Sequence, residues 1–449
     1  MKIKTLGCIN LDKNNMVLMT AIFITILFNI LPVEYIFPLL IILAGLLLGA
    51  AIILIDSPQE FNAIFLIFIA GFATRILLSM FLYSATSILN KDYGFFIGDG
   101  CNYSLNGWKI SRLWELGVNV TRANFVSSFG SASGTVSNYD FLNAFIYSIS
   151  GYSPMSLFFI NCLAGSITII FIFIIAKNIF NREIAMVSSV LCAFWPSFIL
   201  WSSQNLKDPL TNFGIIGFLY FLIKLRHNLR FNTLLFLFFC LLIVYYVRPL
   251  MIIPLGMASA VYFLFCFRLP KVLKISFIVF MALLTLYLLK DVIVPYLRSG
   301  ILEEINSVRA VRSYGNLAYF SEFRFTSWWS ILIYMPLGFF AVWFLPFPWQ
   351  GFSSSQIFAG PEILVWYMLF PFFVKGVCIA IKNNSKDSYF LLAAIAVFSI
   401  FLIMYEGNLG TLYRHKAVII MLTFIFAGLG LQSRHTVNSL DAFSIEVNK

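Results

Sequence analysis

The chain has 449 residues and a formal net charge of +11, yet only 11% of its residues are charged and 61% are hydrophobic. Soluble domains carry about 25% charged residues, so a wholly water-facing surface is excluded and lipid must cover much of the molecule. The cationic excess does not indicate nucleic acid, because many Lys and Arg residues fall in short turns between apolar runs, where membrane topology accounts for them.

Apolar runs near 20 residues can cross the hydrocarbon core as helices. Their number predicts an all-α polytopic transmembrane helical bundle of about 12–13 spans with two long external loops. Lys2, Lys4 and Lys13 favour a cytoplasmic start, and the basic, polar stretch 1–15 lacks the features of a cleavable signal peptide. Spans are expected over 16–36, 38–55 and 61–86, making 1–86 an N-terminal set. The chain then emerges and stays polar through a first external loop, 87–138.

A core bundle follows over 139–289. It opens on 139–150, too short to span and read as a half-helix or interfacial helix, and continues with spans at 155–176, 184–201, 210–223, 231–247, 250–267 and 275–289. Basic turns containing Lys177 and Arg182, then Lys224, Arg226 and Arg230, then Arg268, Lys271 and Lys274 mark the cytoplasmic side. A second external loop covers 290–327, and the segment 328–431 holds runs at 328–347, 362–381, 389–405 and 417–431 before a cytoplasmic tail, 432–449. A full crossing at 328–347 would place Lys382 and Lys386 outside. Pro336, Pro346 and Pro348 favour a re-entrant or interfacial element there instead. No internal repeat or separate soluble domain is visible, and the seven cysteines, mostly inside apolar runs, form no disulfide framework.

The external segments hold most of the carboxylates and also many cations that topology does not explain, among them Lys109, Arg112, Arg122, Lys207, Arg248, Arg309, Arg312, Arg324, Arg414 and Lys416. Cations set against the topological trend suggest a phosphate-bearing ligand at the outer interface. The plainer reading is solvated loop charge and headgroup contact.

Three constellations stand out. In Gly98-Asp99-Gly100-Cys101-Asn102-Tyr103, Asp99 either caps the following amphipathic helix or serves as a general base at the membrane surface. Glu115 is the second catalytic candidate, and Asp92 reads as an exposed loop charge. In Trp195-Pro196-Ser197 through Lys207-Asp208-Pro209, Asp208 suits a helix start, whereas Lys207 there opposes the helix dipole and is a candidate phosphate contact. In Glu406-Gly407-Asn408-Leu409-Gly410-Thr411-Leu412-Tyr413-Arg414-His415-Lys416, the glycines permit a tight turn. Arg414 either grips phosphate or snorkels from a plain hairpin, and Arg248, between two short spans, is a similar case. Tyr103, Asp208, Asn408 and Tyr413 are candidates for positioning substrate.

His227, His415 and His435 are scattered and suggest no metal cluster. No phosphate-binding P-loop, nucleophile elbow or dinucleotide fingerprint occurs. No cofactor is therefore expected, although a divalent ion held by carboxylates and a substrate phosphate stays open.

Taken in order, these segments resemble the polytopic GT-C-fold glycosyltransferases, nearest the bacterial relatives of the dolichyl-phosphate-mannose protein mannosyltransferases of glycosyltransferase family 39. The resembling features are Gly98-Asp99 and Tyr103 in the first loop, Asn161 in a span ending at Ala176-Lys177-Asn178-Ile179-Phe180, Trp195-Pro196-Ser197, Lys207-Asp208-Pro209, Arg248 and Tyr413-Arg414. The likeness covers roughly 94–430. It implies a bacterial inner-membrane transferase that takes a sugar from a polyprenyl-phosphate donor at the outer face and passes it to a glycan, lipid or protein acceptor. Asp99 would then be the base, and Lys207, Arg248 and Arg414 would hold the carrier phosphate. The chain differs from many members in having two spans before the one leading to the acidic loop, and in having Gly100 where a second carboxylate often follows. Two alternatives use the same residues differently. An O-antigen-type polymerase or ligase would rank Arg312, Arg324 and Arg414 above Asp99, and a transporter or flippase would perform no covalent chemistry.

Overall fold

The computed structural model describes residues 33–89, 94–130, 136–266, 300–313, 318–320, 323–347 and 359–447, with isolated positions between 270 and 283. Most of the expected run 16–36, most of 275–289, and Asp92, Arg298 and Glu322 lie outside these residues.

The apolar runs form α1 (Val33–Asp56), α2 (Phe61–Ile88), α5 (Pro154–Ile179), α6 (Arg182–Phe194), α8 (Lys207–His227), α9 (Phe231–Val247) and α10 (Ile252–Cys266). They continue as α12 (Trp328–Phe344), α13 (Ala359–Lys382), α14 (Lys386–Tyr405) and α16 (Ala417–Val447). Two amphipathic helices, α3 (Gly98–Glu115) and α4 (Asn138–Ser150), fold the first loop into a packed pair. Three short elements complete the set: α7 (Pro196–Ser202), α11 (Ile301–Arg312) and α15 (Leu409–His415). Among the described residues seven helices are long and apolar enough to cross a membrane, or nine if the bent pairs α6–α7 and α15–α16 each count as one span. The all-α polytopic bundle expected from the sequence is what the chain forms. One boundary differs: α1 runs through Pro38, where the sequence suggested a break between two spans. In an apolar helix, neighbouring groups absorb the lost bond.

α5 is apolar on all sides and lies at the centre, packed by α1, α2, α6 and α8. Side-chain pairing sorts the turns into two ends of the bundle. At one end Asp56 meets Lys224, Ser57 meets Lys177, Glu60 meets Arg182, and Asp387 meets Arg226 and His227. At the other, Asp99 meets Arg414, Gly100 meets Asn205, Asp208 meets Arg248, and Glu406 meets Arg312. These will be called the basic end and the loop end. Tyr334, inside α12, meets Arg309, and just past its end the Leu345 carbonyl accepts from Lys416 at 2.8 Å. The helix runs unbroken through Pro336 and is shorter than the helices able to cross a membrane.

The break between α6 and α7 bends the chain by 54°. Pro196 has no N–H for the Cys192 carbonyl, and the Ser197 N–H goes to a Glu362 carboxyl oxygen at 2.6 Å instead of to Ala193. The two orphaned carbonyls are taken by Arg75 from α2, whose Nη1 donates to Ala193 at 2.9 Å and Nη2 to Cys192 at 3.3 Å. Arg75 thus sits at the carbonyl end of α6 and Glu362 at the N–H end of α7, each matching the local dipole.

α13 and α16 cross through Gly376 and Gly430, where an added Cβ would overlap the carbonyls of Phe426 and Phe372. Close backbone approach over small residues is a common way for membrane helices to pack. Gly376→Ala and Gly430→Ala are each expected to destabilise the protein by about 1–3 kcal/mol, read as a lower unfolding temperature in detergent.

Candidate active site

The site is assembled around the turn that links α7 to α8. Residues 203–206 are buried, and most of their polar groups are met, Gln204 Oε1 being the exception among the described residues. Asn161, from the third turn of α5, donates to the Gln204 carbonyl at 2.7 Å and the Leu206 carbonyl at 2.9 Å. The Tyr139 hydroxyl donates to Asn205 Oδ1 at 2.8 Å, and Asn205 Nδ2 donates to the Gly100 carbonyl at 3.1 Å. The last bond docks the first turn of α3 onto this turn. A Cβ at position 100 would lie 3.0 Å from the Asn205 carbonyl oxygen, so the glycine after Asp99 permits the approach.

α8 begins at Lys207, and Lys207 Nζ lies 4.5 Å from the centre of the Tyr103 ring. Tyr103 in turn meets Tyr139 edge-on, with ring centres 5.3 Å apart. Burial, reinforced by the Asp99 carboxylate, raises the Tyr103 phenol above its usual range, so it stays a neutral donor. Among the described residues no carboxylate lies within ion-pair distance of Lys207, although Asp99, Asp140 and Asp208 stand near enough to influence it. Asp140 is engaged elsewhere, capping α4 through Ser137 and accepting from Asn106 at 3.0 Å.

Asp208, buried in the first turn of α8, accepts from Arg248 Nη2 at 3.0 Å. Arg414 Nη1 donates to Asp99 Oδ2 at 3.0 Å. Asp99 does not cap α3: the N-cap is Ile97, and no side-chain cap is made. Its side chain is 48% exposed, so it faces both Arg414 and the open side of the cluster.

Behind these residues runs a chain of alternating charge. His415 places Nε2 against Arg248 Nη1 and Nδ1 at 2.6 Å from Glu406 Oε1. A guanidinium can only donate, so Nε2 carries the lone pair and Nδ1–H donates to Glu406. Glu406 also accepts from Arg312 and from Thr411, the latter at 2.8 Å. Burial works to raise the Glu406 carboxyl, but the hydrogen bonds from His415 and Thr411 and the charge of Arg312 outweigh it and hold it below its usual range. The sequence presents Glu406 and His415 only as parts of a turn; nothing in one dimension pairs them with Arg312 and Arg248.

Asp99, Tyr103, Lys207, Asp208, Arg248 and Arg414 thus come together at the loop end, from α3, α8, α15 and the turn after α9. Three other candidates do not join them. Glu115 lies at the far end of α3, about 24 Å along the helix from Asp99, and pairs with Arg112. Asn408 caps α15, its oxygen accepting from the Gly410 N–H at 2.8 Å. Tyr413 is one residue from Arg414 but a helix turns about 100° per residue; it packs with Leu82, Leu200, Trp201 and Leu206 beside Glu362. Arg324 is exposed, and Arg312 reaches the cluster only through Glu406.

No curated protein matches the chain. A family model described as dolichyl-phosphate-mannose-protein mannosyltransferase matches residues 138–294. That segment holds Asn161, Trp195-Pro196-Ser197, Lys207, Asp208 and Arg248; Asp99 and Arg414 lie outside it. Over that segment the chain is similar to the dolichyl-phosphate-mannose-protein mannosyltransferases, which makes it an integral membrane protein of glycosyltransferase type.

Proposed function

We propose that the protein transfers a sugar from a polyprenyl-phosphate carrier to an acceptor hydroxyl at the outer face of the membrane, with inversion at the anomeric carbon. The carrying observation is the half-buried Lys207 ammonium, packed on Tyr103 with no carboxylate partner of its own among the described residues and with Arg248 and Arg414 in the same cluster. Arg248 and Arg414 are each paired with a carboxylate, Asp208 and Asp99, whereas Lys207 has only the more distant Asp140, Asp208 and Asp99 to answer its charge. A carrier–sugar phosphodiester brings one negative charge. When the anomeric C–O bond breaks, the bonding electrons stay with the phosphate and its charge doubles. Cations already in place then stabilise the transition state more than the bound donor. The acceptor oxygen forms the new bond on the opposite face of the anomeric carbon, and Asp99 takes its proton. The cationic turns of the basic end favour the cytoplasm, which puts the loop end outside.

Purified protein in lipid nanodiscs, given a polyprenyl-phosphate sugar and candidate acceptors, is expected to yield a glycosylated acceptor and free polyprenyl phosphate by mass spectrometry. The sugar and acceptor to supply are those lost from surface lipids, glycans and proteins of a deletion strain. Lys207→Met is expected to weaken the donor step roughly 10–100-fold, the worth of one hydrogen bond to a charged group. Translocation of a lipid-linked sugar with no new glycosidic bond would overturn the proposal.

A further inference from the structure

A cavity of about 340 Å³ opens at the basic end of the bundle, between α1, α5, α8 and α9, away from the cluster around Lys207. Its walls are apolar, from Leu48, Phe171, Phe213, Phe236 and Phe239, and it runs along α8 from Phe213 to Lys224, about 16 Å of helix. Its mouth is polar. Lys224 lines it but is paired with Asp56, which also accepts from Tyr220. Arg230, at the start of α9, lines it too, is exposed, and has no carboxylate partner among the described residues. The mouth therefore carries one unshared cation above a slot of hydrocarbon character.

We propose that this groove binds one acyl chain of an anionic phospholipid from the leaflet at the basic end, with the lipid phosphate on Arg230. A phosphate suits an exposed guanidinium, which can donate two parallel hydrogen bonds. A basic site between membrane helices on the basic side is the expected chemistry for such a headgroup. The site is independent of the transfer reaction proposed above, being at the other end of the bundle and sharing no residue with it.

The test is native mass spectrometry of the full-length protein, delipidated in detergent and titrated separately with phosphatidylglycerol and with phosphatidylcholine. Wild-type protein is expected to retain one phosphatidylglycerol in preference to phosphatidylcholine. Arg230→Gln should weaken phosphatidylglycerol about fivefold, the effect of one surface cation, and leave phosphatidylcholine unchanged. Ala51→Trp, which fills the slot from α1, should abolish retention of both. Thermal unfolding of each variant without added lipid identifies a fold defect, and a destabilised Ala51→Trp is replaced by Ala51→Phe. Equal retention in wild type and a stable slot-filling variant overturns the proposal and gives the groove to another occupant, the chain's own 16–36 run among them. Equal affinity for the two lipids overturns the assignment of the headgroup.

Discussion

Asp99→Asn is expected to lower the turnover of sugar transfer about 10²–10⁴-fold, the range of a lost general base, with donor affinity and unfolding temperature little changed. The reasoning is steric as well as chemical. An asparagine oxygen can still accept from Arg414 Nη1, which bonds Asp99 Oδ2 at 3.0 Å, so the tie between α3 and α15 survives. What disappears is the ability to take a proton. Asp99→Ala removes both, and should add a rise in donor KM because Arg414 is no longer held. If Asp99→Asn keeps near-normal turnover while Asp99→Ala loses it, Asp99 is a positioning residue for Arg414 rather than the base. If Asp99→Asn is mild and Arg414→Ala is severe, the polymerase or ligase reading gains at the expense of the transferase. The measurement is initial rate against donor concentration in nanodiscs.

The residues that meet at the loop end are legible in the sequence for one reason. Each is an ionisable group where an apolar run begins or ends, and such placement is costly unless something answers the charge. Lys207 shows this best, since a cation at a helix start opposes the dipole and so calls for another explanation. The same rule misleads at Glu115. It shares a loop with Asp99, but the segment 98–115 folds as one helix and carries the two carboxylates to opposite ends. Asn408 and Tyr413 mislead differently. Proximity in sequence to Arg414 says nothing about which helical face each occupies, and one became a cap while the other turned inward. Glu406, His415 and Arg312 form a relay that only folding brings together. The prolines of 328–347 and the charge of Lys382 and Lys386 both favour a re-entrant course there, yet α12 is one unbroken helix through Pro336. Arg75 and Glu362 carried a signal that topology alone does not use: one is a lone cation deep within an apolar run, the other a lone anion at the head of one.

Those two side chains give the other large effect. Arg75→Met is expected to destabilise the folded protein by roughly 2–6 kcal/mol, because two buried carbonyls lose their donors at about 1–3 kcal/mol each. Arg75 is 1% exposed, so water cannot replace the guanidinium without opening the bundle. Arg75→Lys should restore part of the loss, since an ammonium can reach one carbonyl but not fork between two. Glu362→Gln is expected to cost less, as the amide oxygen can still accept from the Ser197 N–H. Both side chains hold the same bend, so their effects should be coupled rather than additive in a double-mutant cycle of unfolding free energies. The bend also matters for chemistry. Ser203, just beyond α7, donates to the Arg75 carbonyl at 2.9 Å, and the next four residues lead to Lys207. Arg75→Lys should therefore show a raised donor KM even at a temperature where it is fully folded. An Arg75→Met protein as stable as wild type would mean that Pro196 sets the bend unaided and that the two carbonyls find other donors.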